Sequence, residues 1–150
     1  MKDKNDILWG MYQEHTTQGR HHEVQRASLT NIVIVVAGGI IAFIAQGGVT
    51  RDKWIMAAFL IVLGCFGALF SAKQYERSRF HITAAGLYRK ELESLTPIDL
   101  TTIRNNAEKK HKGEYPWLES IRLYWLWIIV HLLIAGLGVV LLLYIFTKQY

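Results

Sequence analysis

Three long apolar runs, separated by polar segments, constrain this chain more than any other feature. They lie at about 29–46, 54–72 and 123–146. A water-soluble domain of 150 residues interleaves apolar and polar residues to wrap one core; here apolar residues are 51% of the chain and clustered. The centre of the first run, Ile32 to Ala45, carries no charge. At 1.5 Å per residue, roughly 18 helical residues reach about 27 Å, enough to cross the hydrocarbon of a bilayer. The fold class expected is an all-α membrane protein with three transmembrane helices.

The polar segments read as helical extensions of these spans. Residues 1–28 are predicted to form a cytoplasmic amphipathic helix, with Ile7, Leu8, Met11 and Tyr12 on one face and a break or loosening near Thr16-Thr17-Gln18-Gly19. Residues 29–72 form a membrane hairpin around the Gly47–Lys53 turn, with Trp54 at an interface. Nothing stops the second helix at Ala72, because 73–95 contains one Gly and no Pro. Thr96-Pro97 ends it. A short helix over about 99–110 is predicted to break at His111-Lys112-Gly113, and Pro116 to open the helix of the third span. Trp117, Tyr124, Trp125 and Trp127 mark one interface of that span, Tyr144 and Tyr150 the other. The segment 73–122 is thus a cytoplasmic helical region.

The net charge of +5 is placed as a membrane protein places it, not as a nucleic-acid stripe. Lys and Arg number four in 1–28, ten in 73–122, two in the 47–53 turn and one at the C-terminus. This predicts an N-terminus and middle segment inside and a C-terminus outside. The polar first 28 residues do not read as a cleavable signal peptide. Cys65, the single cysteine, reads as a small buried hydrophobe inside a span.

Few residues could carry chemistry. His131 is ionisable at membrane depth, where such a group is costly and a functional candidate. The bland reading is a neutral histidine hydrogen-bonded to a neighbouring helix; the sharper one is a pore-lining or sensing group, alongside Asn31 and Gln46. Gly64 with Ala68, Gly67 with Ser71, Gly38, Gly39 and Ala42 in the first span, and Gly136 and Gly138 in the third mark close helix approaches. These pack either within one hairpin or between subunits, and three helices enclose so little interior that a homo-oligomeric bundle is expected. The densest polar cluster holds Arg20, His22, Glu23 and Arg26, with His15 two turns before His22. It reads as a juxtamembrane network with Arg77, Arg79 and His81, Glu23 pairing with Arg77 or Arg79. The histidine spacing fits no standard zinc pattern, so no metal is expected. No nucleophile–base set, phosphate loop or HExxH appears, so neither enzyme activity nor a cofactor is expected.

The hairpin from Leu29 to Ala72, with its flanks Gln18-Gly19-Arg20-His21-His22-Glu23-Val24-Gln25-Arg26 and Ser71-Ala72-Lys73-Gln74-Tyr75-Glu76-Arg77, resembles the SLATT-type small bacterial membrane proteins. The likeness covers about two thirds of the chain and is architectural; the third span departs from the simplest two-span form. It implies a pore-forming effector in anti-phage defence, an ion channel gated by a cytoplasmic protein or nucleotide signal. The rival expectation is a non-conducting scaffold or sensor that docks a soluble partner. A small transporter is least expected, for want of an inverted repeat. Expected partners are the lipid bilayer and further copies of the chain, with no nucleic acid.

Overall fold

The computed structural model describes residues 3–97 and 99–147, so Tyr150, one of the expected interface aromatics, and Lys148, the C-terminal cation of the orientation count, lie outside the described residues. Five α-helices follow one another: α1 Lys4–Gly47, α2 Trp54–Glu93, α3 Leu100–Glu114, α4 Pro116–Ser120 and α5 Leu123–Thr147. A single 3-10 turn, Arg51–Lys53, precedes α2, and no strand occurs among the described residues. Three helices, α1, α2 with its 3-10 turn, and α5, are long and apolar enough to cross a membrane.

The α1 helix runs unbroken through Thr16–Gly19. The Thr16 hydroxyl donates to the Tyr12 carbonyl at 2.8 Å, one turn back, so its polar group is satisfied inside the helix. Gly19 is buried, and a Cβ there would meet Ile82 Cγ1 at 3.2 Å; it serves helix contact instead of a break. The turn after α1 uses Gly48 at φ +73°, a conformation a side chain would strain. Lys53 Nζ sits 3.8 Å from the Phe43 ring centroid, beside Gly47 at the C-terminal end of α1, where a cation is favoured.

The α2 helix continues to Glu93, as expected. Two boundaries differ. First, α3 does not stop at 110: it takes in His111, Lys112 and Gly113 and ends at Glu114, with Tyr115 donating its N–H to the His111 carbonyl at 2.9 Å. Basic residues in a last turn complement the carbonyl ends, and they outweigh one glycine. Its start is capped by Asp99, which accepts from the Thr102 N–H at 2.7 Å. Second, Pro116 opens the separate five-residue α4, not the third span. Ile121 then turns extended at φ −82°, ψ 110°, and α5 begins at Leu123.

The chain divides into two compact units, to both of which α1 and α2 contribute: residues 24–75 with 123–150, and residues 1–23 with 76–122. In the first, which contains the three apolar runs, buried positions recur in steps of three, four or seven. On α1 they are Arg26, Thr30, Val33, Ala37 and Ile44; on the second element pair Lys53, Ala57, Leu60, Gly64, Gly67 and Ser71; on α5 His131, Ala135, Gly138 and Ile145. That is the seven-residue spacing of helices wound gently about one another. Apart from Val33, Ile44, Leu60 and Ile145, most large apolar side chains point the other way, with Val35, Leu69, Leu133 and Val140 each more than 60% exposed.

Candidate functional site

The three-helix unit is closed around His131, whose relative exposure is 0%. Its neighbours are small because they must be. A Cβ on Gly67 would collide with the imidazole ring, and a Cβ on Gly64 would lie 2.5 Å from the Ala135 nitrogen and 2.6 Å from the His131 carbonyl oxygen. Farther along, Gly138 brings α5 against the backbone of Ala57 and Ile61. Glycine on one helix therefore receives backbone or ring from the other at three levels, the way helices approach in lipid.

Thr30 Oγ1 lies 3.1 Å from His131 Nε2 and 2.9 Å from the Arg26 carbonyl oxygen. A threonine hydroxyl has one hydrogen to give, and the carbonyl can only accept, so the hydroxyl donates to Arg26. It must then accept from His131, which assigns the proton to Nε2. Nδ1 is left as the other face of the ring, buried and without a partner beside Gly67. His131 is thus a link between α5 and α1, seated in a hollow of α2. Arg26 is buried at 5% exposure, its guanidinium carbon 5.6 Å from the Trp127 ring centroid.

The other two residues expected to line a pore or sense a trigger, Asn31 and Gln46, do not join His131. Both are exposed. The small residues also split. Gly64, Gly67 and Ala68 lie on the α2 side, with Gly64 and Gly67 filled by α5, so these two do not form the subunit face expected of them. Around Gly38, Gly39 and Gly136 an added Cβ would meet nothing within 4 Å.

In the second unit, His15, His22 and His81 come together. His15 Nδ1 is 2.9 Å from His81 Nδ1, the His22 ring stacks on His81 at 5.4 Å, and Tyr88 stacks on His15 at 5.4 Å. Two facing Nδ1 atoms can share one proton but not carry two. Burial, then the nearby His15, His22 and Arg77, hold the His81 pKa below the ordinary histidine value, with Glu14 opposing. Among the described residues no group of three or more His, Cys, Asp or Glu is arranged to hold a metal ion.

The expected pairing of Glu23 with Arg77 or Arg79 is not formed. Arg77 Nε lies 3.8 Å from its neighbour Glu76 instead, and Arg20, Glu23 and Arg79 are all exposed. Long, solvated side chains gain too little from such pairs to fix the geometry. Sequence reasoning named Gly138 as a contact residue but missed Thr30 and Ala135. The signal for them was the repeat of steps of three and four along each run.

Searches of protein-family profiles, curated proteins and solved structures find no match to this chain.

Proposed function

We propose that this chain is an oligomeric inner-membrane effector that perturbs the bilayer, with subunits meeting along the outward face of α1. The observation that carries this reading is a single stripe. Asn31, Val35, Gly38, Gly39, Ala42 and Gln46 are all exposed, and helical periodicity puts them within about 100° of arc, opposite the buried Thr30–Val33–Ala37–Ile44 seam. This stripe gathers both polar residues proposed for the first span, and the glycines between them admit a second helix closely. His131 closes the protomer's own interior, so a conducting path in this reading runs between subunits. Such a path, being mostly apolar, gates by a hydrophobic constriction.

The resemblance to SLATT-type proteins supports a role in bacterial defence, and the Lys and Arg balance supports an N-terminus and middle segment inside. The second reading, a non-conducting scaffold or sensor, draws support from the same closed interior.

Membrane potential followed with a voltage-sensitive dye during expression separates them. Depolarisation by the wild-type chain that disappears in Gly39→Leu and weakens in Gln46→Leu supports the effector. Depolarisation indifferent to both variants removes the α1 face from the account. An unchanged potential, with the chain confirmed in the membrane, favours the scaffold.

A further inference from the structure

We propose that the unit formed by residues 1–23 and 76–122 binds an anionic amphiphile, a phosphate or carboxylate head on an apolar body, in the groove bounded by α1, α2 and α3. Two adjoining cavities carry this inference. One, about 530 Å³, is walled mainly by apolar side chains, among them Trp9, Leu92, Leu100 and Ile103. The other, about 230 Å³, is more polar and includes Thr16. Tyr12, Arg89 and Arg104 line both. The larger volume falls in the range of pockets that enclose small organic ligands.

The electrostatics of this groove are lopsided. Two guanidiniums border it and no carboxylate does. Among the described residues neither Arg89 nor Arg104 forms an ion pair, and Arg89 Nε is buried without a hydrogen-bond partner. Glu93, one turn beyond Arg89, is committed elsewhere. It accepts from the Thr101 N–H at 2.6 Å and from its hydroxyl at 2.8 Å, which pins the start of α3 to the end of α2. Glu114 and Glu119 lie by Lys110 and Lys112. Two cations brought to one place repel, and a buried N–H without an acceptor is costly; an anion between them relieves both. The head therefore belongs at Tyr12, Arg89 and Arg104, and the apolar body along Leu92, Leu100 and Ile103. This inference does not depend on the membrane-effector reading, and either can fail alone.

The head could come from a free soluble amphiphile or from a bilayer lipid, so the test has two arms. In the first, hexyl phosphate is titrated calorimetrically into the full chain held in phosphatidylcholine nanodiscs, with hexanol as the neutral control. In the second, the chain is released from nanodiscs of phosphatidate and phosphatidylcholine in equal parts, and native mass spectrometry scores the lipid retained. Saturable hexyl phosphate binding, absent with hexanol, supports a free ligand; selective retention of phosphatidate alone supports a lipid. In either case the Arg89→Gln/Arg104→Gln variant is expected to lose about tenfold or more in affinity or retention. Ala107→Trp, at an exposed helical position on the groove wall, is expected to weaken binding with both arginines in place. Circular dichroism checks that both variants keep their helices. Binding in neither arm, or binding that the double arginine variant leaves unchanged while still helical, overturns the proposal.

Discussion

The two units share α1 and α2 yet differ in how they face their surroundings. In residues 24–75 with 123–150, small residues and His131 line the inside together with Val33, Ile44, Leu60 and Ile145, while most large apolar side chains face out. In residues 1–23 with 76–122, Gly19, Ser78 and Ala85 are buried beside three half-buried histidines, charged side chains crowd the outside among exposed apolar ones, and α3 and α4 bury no residue. The difference is the one expected between lipid and water. Water rewards burying large apolar groups; lipid does not, and leaves close backbone approach and hydrogen bonds to hold helices together. A helix can pass from one regime to the other without a break, because its backbone bonds are satisfied internally in both.

The largest expected effect comes from removing close approach in the apolar unit. Gly64→Ala puts a Cβ against α5 backbone and is expected to cost ~1–3 kcal/mol in reversible unfolding from detergent micelles, whereas Gly136→Ala, with open space around it, is expected to cost nothing measurable. Equal effects would break the distinction between inner and outer faces.

Next is the hydrogen bond from His131 to Thr30. Thr30→Val leaves the Nε2–H without an acceptor, and a double-mutant cycle with His131→Leu is expected to give a coupling of about 0.5–1.5 kcal/mol. The polar unit should instead respond to pH. His81 has a depressed pKa when folded, so the folded form binds fewer protons than the unfolded one just below the ordinary histidine value. Stability of this unit is therefore expected to be full above pH ~6.5 and to fall as pH drops below it, read by the helical signal on heating. His81→Phe should flatten that slope. The smallest effect is expected for Ser71→Ala, within about 0.5 kcal/mol, because the buried Ser71 hydroxyl has no partner to lose.

The spans were legible because length and hydropathy alone decide them: α5 begins at Leu123, where the third run was placed, and α2 passes Ala72 for want of any breaker. The inside of the bundle was less so. Gly67 and His131 were each conspicuous, but nothing local says that one receives the other, a pairing 64 residues apart that only packing sets. Arg89 and Arg104 passed as ordinary cations in a basic segment, because a shared cavity has no sequence pattern. The breaks expected at Gly19 and Gly113 misjudged glycines whose helices are held from outside or by their ends.

The central proposal is a topology in which the three apolar helices cross a bilayer, with residues 73–122 on one side and the 48–53 turn on the other. Thiol labelling tests it most directly, with a membrane-impermeant maleimide on intact cells in a Cys65→Ser background. Val49→Cys should label from outside at once, Gly113→Cys only after permeabilisation, and Leu69→Cys, exposed on the outer face of α2, hardly at all. Labelling of Val49→Cys and Gly113→Cys from the same side, or ready labelling of Leu69→Cys, would contradict the account.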